Sequence, residues 1–199
     1  MLDADFFRRW MTATAALVDR EADRLTALDS PIGDADHGSN LRRGFTAVTA
    51  SLEKEAPDTP GAVLMLAGRT LISTVGGASG PLYGTLLRRT GKALADAGEV
   101  SEEQFAAALR EGVDAVMTLG GAAPGDKTMI DALVPALDAL GDGFAAARTA
   151  AEEGALATTP LQARKGRASY LGERSIGHQD PGATSASLLV TGLVEAAGE

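Results

Sequence analysis

Three aspartates fall within eight positions in the run Leu28-Asp29-Ser30-Pro31-Ile32-Gly33-Asp34-Ala35-Asp36-His37-Gly38-Ser39-Asn40. Carboxylates this close repel one another unless a cation sits among them. Hard divalent ions prefer oxygen ligands, so Mg2+ is the natural candidate. Pro31 and Gly33 bend the run, and Gly38-Ser39-Asn40 then opens a helix whose free N–H groups, hydroxyl and amide suit an anion. Acids beside an anion cradle suggest metal-bridged phosphates. A calcium loop does not fit: counting from Asp34, the sixth position is Ser39 rather than glycine, and the twelfth is Phe45 rather than glutamate. Helix capping by Asp34 and Asp36 is the plainer alternative, common for single aspartates and less so for three in a cluster.

Three further segments join helical stretches through glycine. Gly76-Gly77-Ala78-Ser79-Gly80-Pro81-Leu82-Tyr83-Gly84-Thr85 either brings backbone close to a ligand or makes a tight helix corner. Gly120-Gly121-Ala122-Ala123-Pro124-Gly125-Asp126-Lys127-Thr128-Met129 carries a lysine whose ordinary place is the surface. Its methionine belongs in the core or against an adenine ring. Residues 165–182 form the longest irregular stretch, with Arg167 and Arg174 placed either to neutralise phosphate or to pair with Glu173 or Asp180. No Gly-x-x-x-x-Gly-Lys-Ser/Thr motif occurs and no strand precedes a glycine loop, which excludes P-loop and Rossmann sites. His37 and His178 have no neighbour that marks a nucleophile, so a structural or hydrogen-bonding role is expected for each.

Composition narrows the chemistry further. The 199 residues contain no cysteine and only two histidines, which removes disulfides, thiolate metal sites and thiol nucleophiles and leaves oxygen as the main metal donor. With 18 Lys+Arg against 27 Asp+Glu the formal charge is −9, and no basic tract offers a nucleic-acid footprint. The N-terminal run has neither the apolar core of a secretory signal nor the character of a transit peptide, and no apolar run approaches a membrane span. The cytoplasm is therefore the expected compartment.

The elements that must position these residues are helices. Ala and Leu far outnumber Val and Ile. Leu41, Phe45, Val48 and Leu52 recur on one helical face, and Phe6, Trp10, Ala13 and Leu17 make a broader stripe before them. Pro60 opens a helix to about Val75, and Pro81 opens another through Leu94. Ser101 to Gln104 form a capping box, and Asp126 is expected to cap a helix kinked at Pro135. Phe144 to Ala157 and Pro160 to Arg164 read as a helix pair, and Asp180-Pro181 opens a last helix to about Ala197. The expectation is one all-α domain over residues 1–199 with about eight helices, most of its 24 glycines lying between them.

The four segments in this order, through LDSPIGDADHGSN, GGASGPLYGT, GDKTMIDALVPA and GRASYLGERSIGHQDPGA, resemble the DhaL family, the ADP-binding subunits of dihydroxyacetone kinase. The resemblance spans essentially the whole chain. It implies a barrel of eight antiparallel helices with nucleotide-binding loops at one end, Asp29, Asp34 and Asp36 ligating two Mg2+ ions, and His37, Gly38, Ser39 and Asn40 lining the phosphates with Ala78 and Ser79 beside them. Gly120, Met129 and Arg167 would border the nucleotide further out, and Asp180, Pro181 and Gly182 would close the pocket. By the same resemblance the chain carries ADP/ATP as a coenzyme and supplies no catalytic nucleophile. A DhaM-type phosphohistidine would be its donor, a DhaK-type subunit would hold dihydroxyacetone, and a homodimer is expected. An ATP-dependent kinase subunit for dihydroxyacetone or another small ketose, or a nucleotide-bound regulatory protein, is the alternative.

Overall fold

The computed structural model describes residues 1–198. Eight α-helices follow one another: α1 (Ala4–Asp29), α2 (His37–Glu55), α3 (Pro60–Thr74), α4 (Ser79–Leu94), α5 (Glu102–Gly120), α6 (Ile130–Ala139), α7 (Phe144–Ala157) and α8 (Pro181–Ala197). Each packs against the next and α8 packs against α1, so the ring closes into a barrel. Short connections between sequence neighbours make adjacent helices antiparallel. The loops 30–36, 75–78, 121–129 and 158–180 therefore share one end, and 56–59, 95–101 and 140–143 share the other. Among the described residues no helix is long and apolar enough to cross a membrane.

The end without the acidic loop is plugged by aromatic rings. Phe7 and Trp10 of α1 meet Phe105 of α5 edge to face at 5.3 and 5.5 Å, and Phe6 stacks on Phe144 of α7 at 5.7 Å. A two-residue antiparallel ladder, β1 (Leu2–Asp3) with β2 (Glu99–Val100), ties the chain start to the α4–α5 connection there. It is too short to leave an alternating pattern in the sequence. Asp3 caps α1 by accepting from the Phe6 N–H at 2.9 Å, and Ser101 with Gln104 forms the expected capping box on α5.

Half of the 24 glycines lie inside helices, against the expectation that most lie between them. Gly61 and Gly68 of α3 face Gly91 and Gly84 of α4, and a Cβ at any of the four would press on backbone of the opposite helix. Close approach of the two helices is what these glycines supply.

Three sequence expectations about helix ends need correction. Residues 160–164 are not a helix: the Ala163 N–H bonds Ser175 Oγ at 2.9 Å and the Arg164 N–H bonds the Asp126 carbonyl at 3.1 Å, so these amides are spent across the loop. The helical turn in that loop is instead a 3-10 segment, Arg167–Ser175. Asp126 does not cap α6, since its carboxylate accepts from the Ala123 N–H within its own turn and Asp131 takes the N–H groups of Gly125 and Thr128. α4 begins at Ser79, two residues before Pro81.

Candidate functional site

The four connections predicted to carry chemistry meet around one cavity of about 610 Å3, a size suited to a nucleotide-sized ligand. The first residues of α2, α4, α6 and α8 (His37, Ser79, Ile130 and Pro181) all line it. Four helix N-termini therefore turn their positive dipole ends toward the same space, where an anion is favoured.

On one wall stand Asp29, Asp34 and Asp36, each offering a carboxylate oxygen within 4.8 Å of the others. Asp29 ends α1 and is buried. Its Oδ2 accepts the N–H groups of Asp36 at 3.0 Å and His37 at 3.3 Å, folding the loop back over the helix end. Gly33 is required at the crossing, because a Cβ there would overlap the Asp29 carboxylate. Ala35, with φ of 60°, sits in the left-handed region between the other two acids, a conformation held only because its surroundings fix it. Arg167 reaches across from the last loop and pairs with Asp34 at 2.9 Å, so its partner is neither Glu173 nor Asp180. One arginine against three carboxylates leaves the cluster net negative and able to take a divalent cation, a donor set that fits Mg2+.

His37 lies behind this wall with both ring nitrogens engaged: Nε2 is 2.9 Å from Ser185 Oγ and Nδ1 is 3.3 Å from Ser79 Oγ. Burial lowers its pKa, and Asp29 and Asp36 oppose that shift. Ser185 Oγ is also 2.6 Å from the Tyr83 hydroxyl and donates to the Gly182 carbonyl at 3.1 Å. Burial raises the Tyr83 pKa. This chain of hydroxyls and imidazole ties α2, α4 and α8 together. Asn40 is oriented in turn by Arg43, whose Nη2 donates to Asn40 Oδ1 at 2.7 Å and whose Nε donates to the Thr74 carbonyl at 3.0 Å. The amide oxygen is thereby occupied, and the Asn40 NH2 remains as a donor beside Gly76.

Of the metal- and nucleotide-site residues that the resemblance implies, all line the cavity except Gly38 and Ser39. Gly38 faces the Ala22 carbonyl of α1, and the Ser39 hydroxyl donates to the Asp36 carbonyl at 2.9 Å. What these two offer an anion is their backbone N–H groups in the first turn of α2. Met129 is buried at the cavity wall, consistent with both of its expected placements. Asp180 caps α8 by accepting from the Ala183 N–H at 2.7 Å, and burial pushes its pKa up to about 7. His178 does not line the cavity.

Lys127 departs most from expectation. It is 1% exposed, has φ of 65°, and its ammonium donates to the carbonyls of Ser175 at 2.7 Å, Leu161 at 3.0 Å and Thr159 at 3.5 Å. Burial lowers its pKa, with Asp180 opposing. Neither this residue nor Ser185 left a signal in the sequence: one looks like a surface lysine in a polar turn, the other like a small residue in an alanine-rich helix.

A family model described as DAK2 domain matches residues 31–195. The protein named PEP-dependent dihydroxyacetone kinase, ADP-binding subunit DhaL, of Escherichia coli K12 is 45% identical, the alignment covering 96% of this chain and 95% of that one. PEP-dependent dihydroxyacetone kinase 2, ADP-binding subunit DhaL, of Listeria innocua is 39% identical over 98% of this chain and 95% of its own. Among solved structures, the dihydroxyacetone kinase of C. freundii in complex with AMP-PNP and Mg2+ superposes with a TM-score of 0.76 at 27% identity. That alignment covers 94% of this chain but only 33% of the larger kinase.

Proposed function

Because the chain belongs to the DAK2 domain family, we propose that it is the nucleotide-carrying subunit of a phosphoenolpyruvate-dependent dihydroxyacetone kinase. The observation that carries this reading is the meeting, at one cavity, of a three-carboxylate cluster and four helix N-termini. The first binds a cation and the second binds an anion, and a metal-nucleotide complex is both.

In this reading Asp29, Asp34 and Asp36 hold the metal, with two Mg2+ ions expected, and magnesium when bound neutralises charge on the phosphate oxygens. His37, Gly38, Ser39 and Asn40 line the phosphates beside Ala78 and Ser79, with the first-turn N–H groups of Gly38 and Ser39 as the backbone donors. Gly120, Met129 and Arg167 border the rest of the nucleotide, and Asp180, Pro181 and Gly182 close the pocket where α8 begins. Asp29, fixed by two backbone N–H groups, is the preorganised ligand. Arg167 counters the charge of Asp34 until a cation does. The imidazole of His37 is hydrogen-bonded at both nitrogens and so is not free to take a phosphoryl group itself. The chain's contribution is then to hold a phosphoryl group in line and screen its charge, while partners supply donor and acceptor. The partners proposed are a DhaK-type subunit holding dihydroxyacetone and a DhaM-type phosphohistidine donor, with the chain itself a homodimer.

Mass spectrometry and metal analysis of the protein purified without added nucleotide test this. Roughly stoichiometric ADP or ATP with magnesium is expected, and adding the two partners with a phosphoenolpyruvate-driven phosphoryl source should yield dihydroxyacetone phosphate. A protein that is empty and exchanges nucleotide freely would instead favour ATP-dependent chemistry, the reading toward which the likeness to the C. freundii kinase leans.

A further inference from the structure

Lys127 lines the cavity, yet an ammonium has three N–H donors and all three are directed at carbonyl oxygens: Ser175, Leu161 and Thr159. Those carbonyls stand at the two ends of one loop, 159–161 where it leaves α7 and 175 where its 3-10 segment stops. The Gly177 N–H bonds the Thr159 carbonyl at 2.8 Å and closes the same neck. Between the two ends lies the stretch that carries Lys165, Gly166 and Arg167 to the cavity, with Arg167 on Asp34. The lysine itself is held in a left-handed conformation unfavourable for any side chain bearing a Cβ, a strain that persists only where the surroundings impose it.

We infer that Lys127 is a positioning residue for the nucleotide site: its ammonium pins both ends of the 159–175 loop and so holds Arg167 and its neighbours over the cavity, without itself touching phosphate. This rests on the nucleotide-binding reading above. It separates Lys127 from the lysine of a phosphate-binding loop, whose charge is spent on the ligand. A loop released to spend one tenth of its time closed would weaken apparent affinity about tenfold, since affinity scales with the competent fraction.

The test is calorimetric titration of the full chain, stripped of nucleotide, with Mg·ADP. Lys127→Met and Arg167→Ala should each weaken binding about tenfold, and the double variant should lose clearly less than the product of the two, because the second change acts on a loop already released. Losses that multiply would mean that the two residues contact the nucleotide independently, and a Lys127→Met chain that binds as wild type would mean that the loop needs no pin. Either overturns the inference. Should Lys127→Met fail to fold, the absence of cysteine from the chain gives a second route. Lys127→Cys introduces a single thiol, and S-aminoethylation rebuilds a side chain of lysine's length and charge, whereas S-propylation rebuilds only the length. Affinity restored by the aminoethyl group alone supports the ammonium's role, and equal affinity with both groups refutes it. A wild-type chain that binds no Mg·ADP would remove the nucleotide reading itself, a separate failure from either of these.

Discussion

Replacing Asp36 by Asn should make the nucleotide-free protein more stable while abolishing most of the stability that Mg·ADP adds. The three acids offer oxygens within 4.8 Å of one another. Two unit charges at that separation repel by about 1 kcal/mol in a water-like medium and about 3 kcal/mol at an effective dielectric of 20. Asp36 is open to solvent at the N-cap position of α2, so the lower figure applies, and removing it relieves repulsion with Asp29 and with what Arg167 leaves of the charge on Asp34. A gain of about 1 kcal/mol is expected at low ionic strength, shrinking as salt is added. Asp29 should behave oppositely. It accepts two backbone N–H groups in a buried position, so Asp29→Ala leaves those donors unpaired and costs roughly 1–3 kcal/mol without any ligand. Urea denaturation of both variants, with and without Mg·ADP, reads each quantity. Saturating ligand at a hundred times its Kd adds about 2.7 kcal/mol to a protein that binds it. If the Asp36→Asn chain is less stable than wild type when empty, and gains as much from Mg·ADP, the acids are not a strained cation site and the metal assignment falls.

Two further perturbations address the frame. Gly91→Ala should destabilise the fold by about 1–3 kcal/mol although alanine is the better helix former, because the new methyl would lie 2.7 Å from the Gly61 carbonyl and force α3 and α4 apart. A thermal midpoint at or above wild type would contradict the close crossing. For pH, Asp180 keeps its proton in the folded chain up to about 7 but releases it near 3.8 when unfolded. The folded state then binds more protons between these values, and its stability falls as pH rises through that window, by up to about 4 kcal/mol. Asp180→Asn should flatten the curve when denaturation is compared at pH 5 and pH 8, and unchanged slopes would mean that the carboxyl is ionised in its buried place.

Much of this site was legible because its parts are local. Asp29, Asp34 and Asp36 are brought together by a loop of a few residues, and the apolar stripe after Asn40 fixes which face of α2 turns inward. The convergence of four separate loops follows from an even number of antiparallel helices, which sends every second connection to the same end. What stayed hidden depends on contacts between distant segments. His37 and Ser185 are 148 positions apart, and nothing near either announces the other. Lys127 acts through three carbonyls that any residue could have supplied. The glycines were misplaced because a glycine weakens an isolated helix, a cost outweighed here by close packing. The seven-residue spacing of Gly61 with Gly68, and of Gly84 with Gly91, was the available sign of a helix face.

The aromatic plug has a practical corollary for spectroscopy. Trp10, the chain's one indole, lies 1% exposed among phenylalanines at the sealed end, with its N–H donated to the Leu189 carbonyl at 2.7 Å. Its emission should follow the loss of the barrel and stay silent as the mouth fills. Of the two tyrosines, Tyr83 lines the cavity and Tyr170 stands 89% exposed on the last loop, so tyrosine signals report what happens there. One unmodified chain thus carries two kinds of optical probe, one for the integrity of the frame and the other for the traffic at its opening.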